Sequence, residues 1–133
     1  EGSFRVGDWG NDILGRLPSP TYDEETEVEL VAVSVADLGF PDRAHRRDIY
    51  ERAQERGLSL CPPEVGPELR LAYPDQPRGG WLHVGMEPIS DSGGYPHVFR
   101  VGADGSGRWL RGLGGRPDDF WFGIGRWVFV RRK

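Results

Sequence analysis

The sixteen residues Leu58–Tyr73, LSLCPPEVGPELRLAY, divide the chain into two halves of different character. Three prolines within six positions, Pro62, Pro63 and Pro67, stiffen this connector, because each ring fixes φ and removes a backbone donor. Residues 1–60 carry 13 acidic side chains against 7 arginines, and read as helix and strand. Residues 61–133 carry 8 acidic against 10 basic side chains, and read as short strands rich in Gly, Trp and Arg. Twenty glycines in 133 residues is about twice the usual ~7% share, and most lie beyond Gly66, between aromatic residues. That pattern is turn punctuation between strands.

The length suits one domain, and residues 1–133 are read as a single unit. One cysteine, Cys61, rules out an internal disulfide framework. No run of about 18 apolar residues is present, and a cytoplasmic location is expected. A start at Glu1-Gly2-Ser3, with neither Met nor an apolar leader, is what a fragment or the C-terminal part of a longer protein would show.

In the front half, Val6–Gly15 reads as a short helix capped by Asp8, with Trp9, Ile13 and Leu14 on its apolar face and Gly15 as its left-handed terminus. Leu17-Pro18-Ser19-Pro20 reads as an extended linker and Asp23-Glu24-Glu25 as a solvated acidic turn. Glu27–Val35 is the best strand, expected at the centre of a sheet. A second helix is predicted over Arg43–Arg56, capped by Asp42 or His45 and stopped by Gly57. In the back half, strands are predicted at Trp81–Met86, Val98–Val101, Arg108–Leu113 and Arg126–Arg131, separated by Gly/Asp/Ser turns. The expected fold is α+β: two helices on an antiparallel sheet of about five strands, a meander in its C-terminal half.

Candidate chemistry concentrates at the connector. Cys61 between apolar neighbours reads as buried structure, although Pro62-Pro63-Glu64 after it resembles a helix start that would activate a thiol. Gly66-Pro67 argues against a regular helix from 62 to 71. Arg70, between Leu69 and Leu71, is expected to be half-buried on a carboxylate such as Glu64. The candidate binding surface comprises Glu64, Glu68, Arg70, Tyr73, Asp75, Gln76, Arg78 and Trp81. No catalytic residue and no cofactor is assigned. His45, His83 and His97 have no metal-ligand spacing, so no metal site is expected. Gly112-Leu113-Gly114-Gly115-Arg116 lacks the Lys-Ser/Thr ending of a phosphate loop and reads as a turn.

Three functions follow. The first is a non-enzymatic module that recognises another protein or the rest of its own parent chain. Its rigid connector would lose little entropy on docking. The second is a small hydrolase using Glu64, Arg70 and either Cys61 or His83. The third is an adaptor for single-stranded nucleic acid, with Trp81, Trp109, Trp121 and Trp127 stacking bases beside Arg100, Arg108, Arg111, Arg116 and Arg126. Strand parity weakens the third, since neighbours such as Arg126 and Trp127 point to opposite faces. A pI near 5.4 weakens it further.

Several stretches together resemble a family of bacterial domains without an assigned activity. They are Gly7–Gly15 (GDWGNDILG), Val33–Phe40 (VSVADLGF), Leu58–Leu71, Asp75-Gln76-Pro77, Met86–Ser92 (MEPISDS) and Arg126–Arg132 (RWVFVRR). The family usually has a Thr near the place of His45. The resemblance implies a bacterial source and domains found alone or toward the C-terminus of longer proteins. It implies no catalytic residue.

Overall fold

A computed structural model describes residues 4–16, 28–116 and 118–131. The elements, in chain order, are β1 (Arg5–Val6), α1 (Asp8–Leu14), β2 (Leu30–Ser34), a 3-10 turn (Ala36–Leu38), β3 (Arg43–His45) and α2 (Arg46–Glu55). They continue with β4 (Leu58–Ser59), α3 (Val65–Ala72), β5 (Leu82–Val84), β6 (Ile89–Ser90), β7 (Pro96–Asp104), β8 (Gly107–Gly114), β9 (Phe120–Phe122) and β10 (Arg126–Arg131). The expected linker at 17–20 and acidic turn at 23–25 lie outside the described residues.

The class is α+β as expected, but the sheet is not a five-stranded antiparallel meander and the helices are not two. Three α-helices flank a mixed eight-stranded sheet ordered β1-β8-β7-β5-β10-β2, with β4 also on β10 and β6 also on β7; β3 and β9 form a separate ribbon. β5, β7 and β8 do pair antiparallel in succession, as the first three predicted back-half strands should; the fourth does not continue the meander. β10 passes over β8 and inserts beside β5 in parallel, pairing Trp127 with His83, while its other edge pairs antiparallel with β2. β1 runs parallel to β8. β2 therefore closes one side of the sheet instead of lying at its centre, and none of its five residues is fully buried.

The helices differ from expectation at their ends. Asp8 is the first residue of α1, after Gly7, and Gly15 has an ordinary right-handed φ of −74°. Residues 43–45 belong to β3, so α2 starts later; His45 precedes it without capping it by side chain, its Nδ1 instead lying 2.8 Å from the carbonyl of Asp118. α3 forms in spite of Gly66-Pro67. Pro67 sits in the first turn, where the missing N–H has no helical partner to lose.

Alternation along the ladders assigns the two faces of the sheet. Trp127, Phe129, His83, Arg100, Trp109 and Arg111 share one face; Val128, Val84, Val101, Phe99 and Leu110 share the other. α2 covers the first face at the β10 end, where the Tyr50 ring stands edge-on to Trp127 and Phe129 at 5.7 and 5.9 Å. α1 and α3 cover the second. A Cβ on Gly66 would come within 2.6 Å of the Phe99 ring, so α3 reaches the sheet only because this position has no side chain. In Gly66→Ala, a gain of about 1 kcal/mol in helix propensity opposes overpacking of about 1–3 kcal/mol. We expect a net loss of about 1 kcal/mol in urea denaturation; equal or higher stability would show that Phe99 yields freely.

Candidate functional site

The connector is held to the sheet from inside. Arg70 is fully buried. One terminal nitrogen donates to Gln76 Oε1 and the carbonyl of Gly102, both at 2.9 Å, and more weakly to the Trp109 carbonyl at 3.3 Å. The other donates to the Tyr73 carbonyl at 2.6 Å. Burial, and then the neighbouring Arg108, hold its pKa below the usual arginine value. Gln76, also buried, donates to the carbonyls of Gly80 and Val101. The expected carboxylate partner for Arg70 is thus replaced by carbonyls and an amide, and Arg70 and Gln76 present nothing to solvent.

The other expected surface residues divide. Glu68, Asp75 and Arg78 are exposed; Glu64, at the start of α3, Tyr73, at its end, and Trp81 are half-buried. Trp81 packs where a Cβ on Gly102 would stand, 2.1 Å from its ring. The loop that delivers it is pinned one residue earlier by Gln76 on Gly80. The connector is therefore a support, and Trp81 is what it supports.

Around Trp81 lies a ladder of guanidinium groups and indoles. Arg100 and Arg111, directly opposite across β7 and β8, stand 4.6 and 5.2 Å from the Trp81 ring centre. Arg111 also lies 4.1 Å over Trp109, and Arg5 5.9 Å from that same ring. Like charges opposed across a ladder repel. Burial, then the proximity of Arg111, lower the pKa of Arg100. Among the described residues, the one ion pair of these three arginines is Arg111 with Asp104, at a loose 3.6 Å. Arg100, Trp109 and Arg111 line a cleft of about 590 Å³ with Asp8, Trp9 and the Val6–Gly7 backbone.

Trp9 also walls a second pocket, of about 450 Å³, with Tyr95, Pro96, Asp91, His97, Arg116 and Asp119. Asp91 organises its floor. One oxygen accepts the backbone N–H groups of Gly93 and Tyr95 at 2.8 and 3.0 Å, and the other lies 2.7 Å from Nε2 of His97. The Tyr95 hydrogen bond leads the causes that hold Asp91 below the usual carboxylate value. Asp12 of α1 accepts the N–H and hydroxyl of Ser92, fixing the helix to this turn.

The residues named for a hydrolase are in surroundings unlike those of an exposed nucleophile or base. Cys61 is buried, donates its thiol to the Val128 carbonyl at 3.3 Å, and is pushed up to about 12 by burial. A thiol in that state is a poor nucleophile. His83 is buried between Trp121 and Trp127, and its pKa falls to about 4. Neither residue, nor Glu64 or Arg70, lines the pockets described above.

Of the four tryptophans named for a stacking surface, Trp81 and Trp109 meet at the ladder, whereas Trp121 and Trp127 pack together at a ring separation of 5.5 Å, with Trp127 fully buried. The sequence reading put Trp9 on the apolar face of its helix, whereas the ring is largely exposed, and it considered His97 without pairing it to Asp91. An Asp followed by Ser-Gly-Gly is a side-chain-stabilised turn, and that signal places His97 beside it. Among the described residues, no group of three or more His, Cys, Asp and Glu could hold a metal ion, and no helix is long and apolar enough to cross a membrane. No family model, no curated protein and no solved structure matches the chain.

Proposed function

We propose that this chain is a non-enzymatic recognition module that binds an acidic stretch of another protein, through the arginine–tryptophan ladder of β7 and β8. The observation that carries the reading is the Arg100–Arg111 pair: two guanidinium groups face each other at a cleft, with one carboxylate loosely attached to one of them. The guanidinium carbons of Arg100 and Arg111 lie over the rings of Trp81 and Trp109, and arginine held in this way takes a carboxylate as a fork. The ladder is also rigid before binding, because Trp81 rests on Gly102 and the Gln76-pinned loop.

Single-stranded nucleic acid would use the same residue types, but its bases need open aromatic faces. Trp81 and Trp109 already have guanidinium partners, and the whole chain is acidic at −4. The test compares a fluorescent ten-residue Glu/Asp peptide with a twelve-nucleotide oligothymidylate, by anisotropy at about 50 and 300 mM salt. The peptide is expected to bind at micromolar concentration in low salt, and the Arg100→Gln/Arg111→Gln double variant at least tenfold more weakly. Absence of peptide binding at about 50 mM salt, or an unaffected double variant, would overturn the proposal. Tighter binding of the oligothymidylate would replace it with the nucleic-acid reading.

A further inference from the structure

The ribbon of β3 and β9 turns an apolar face to solvent. Phe120 is 48% exposed, Phe122 64% and Ile124 90%. Phe120 and Phe122 stand two positions apart on β9 and so share a face, their rings edge to face at 6.3 Å. Trp121 between them points the other way, onto His83 and Trp127. We infer that this face is the contact between two copies of the chain, each packing Phe120, Phe122 and Ile124 against the same residues of the other about a two-fold axis. The inference is independent of the recognition reading, because neither strand of the ribbon lines the arginine cleft.

Ile124 is held in water by its backbone. It stands in a turn closed by the Gly125 N–H on the Phe122 carbonyl at 2.9 Å. Three further backbone bonds tie that turn to the chain before β3. The Gly123 N–H donates to the Asp42 carbonyl at 2.9 Å, the Gly123 carbonyl accepts from the Ala36 N–H at 2.9 Å, and the Gly125 carbonyl accepts from the Val35 N–H at 2.8 Å. A Cβ on Gly123 would overlap the Pro41 carbonyl oxygen, so the turn lies directly on Pro41. A backbone already fixed in this way loses little entropy when its side chains dock.

Area and charge select the occupant. At these exposures the two phenylalanines and the isoleucine leave roughly 400 Å² of apolar surface in water. A standard interface covers about 800 Å² per partner, and about 65% of it is apolar in homodimers, which is roughly 500 Å². The three side chains, with the half-buried Phe40 in the hollow beside Phe120, come close to that requirement. Exposed charges on and around the two strands carry both signs, Asp42 and Asp118 against Arg43, Arg47 and Arg126. A mixed rim of this kind selects neither an acidic nor a basic partner and does not repel a second copy of itself. Apolar rings are also complementary to their own equivalents, which a two-fold contact requires.

Sedimentation velocity of the chain between about 1 and 200 μM tests this. The protein is expected to pass from monomer to dimer in that range and to stop there. The Phe122→Ser/Ile124→Ser variant should dimerise at least tenfold more weakly. Its urea midpoint at about 1 μM should match the parent's, because both side chains already stand in water. The Arg100→Gln/Arg111→Gln variant should dimerise like the parent, so the two readings fail separately. A parent that stays monomeric at about 200 μM, or a Phe122/Ile124 variant that dimerises equally well, would overturn the inference. Growth past the dimer into open-ended assemblies would overturn the two-fold contact. A monomeric parent that sediments with phosphatidylcholine vesicles would assign the face to a membrane surface instead.

Discussion

Arg70→Met is expected to lower the stability of the fold by about 3–5 kcal/mol, because at least three acceptors lose the donor that satisfies them, at about 1–3 kcal/mol each. Methionine fills much of the volume but donates nothing. The carbonyls of Tyr73 and Gly102 and the amide oxygen of Gln76 would lose the donor that the fully buried Arg70 supplies. A buried acceptor left unpaired costs about 1–3 kcal/mol, and partial rearrangement keeps the total below the sum. Arg70→Lys keeps a charge and three donors, so it should recover part of the loss, but an ammonium cannot span two sides as the planar group does. Urea denaturation of the three proteins measures this. A methionine variant within 1 kcal/mol of the parent would mean that Arg70 is not the tie between connector and sheet. Because Gln76 and the Gly80 turn position Trp81, the same variant should also weaken the ladder.

The second large effect is acid sensitivity at His83. Its pKa falls from 6.5 to about 4, mainly because burial opposes the charged form and secondarily because Arg100 is near. Between those two values the unfolded chain binds a proton that the folded chain refuses, so stability rises with pH across this window and is lost as pH falls through it. The contribution is complete above about pH 6.5, and about 3 kcal/mol of it has been lost by pH 4. Carboxylates held low in the fold, such as Asp12 and Asp91, have an ordinary value of 3.8 and act lower on the scale. His83→Phe should therefore flatten the stability profile between pH 4 and 6.5 while keeping a ring between Trp121 and Trp127. If parent and variant lose stability in parallel over that range, His83 is not the source.

How much of this was legible follows from what is local. The back-half strands stand close to their predicted places, because alternation and Gly-rich turns are written in neighbouring residues. Cys61, with Leu58 and Leu60 just before it, read as buried, and it is. Partner choice was not legible. Nothing near Trp127 announces that it pairs with His83 in parallel and with Val33 in antiparallel, and the meander failed on that point. α3 was missed because Gly66-Pro67 looks like a break, whereas first-turn geometry tolerates the proline and Phe99 demands the glycine. At the site, the tryptophans and arginines were recognised by type. That Arg100 would oppose Arg111, with Trp81 laid against both, depends on a register and on a loop arriving from elsewhere.

The place of β10 between β5 and β2 has a consequence for synthesis. β2 finds its ladder partner only when Trp127 and its neighbours have left the ribosome, nearly a hundred positions downstream. At roughly 5–20 residues per second, that delay is on the order of ten seconds. During it, Val31 and Val33 emerge with no ladder partner, and this apolar segment stays unpaired until translation delivers the missing strand.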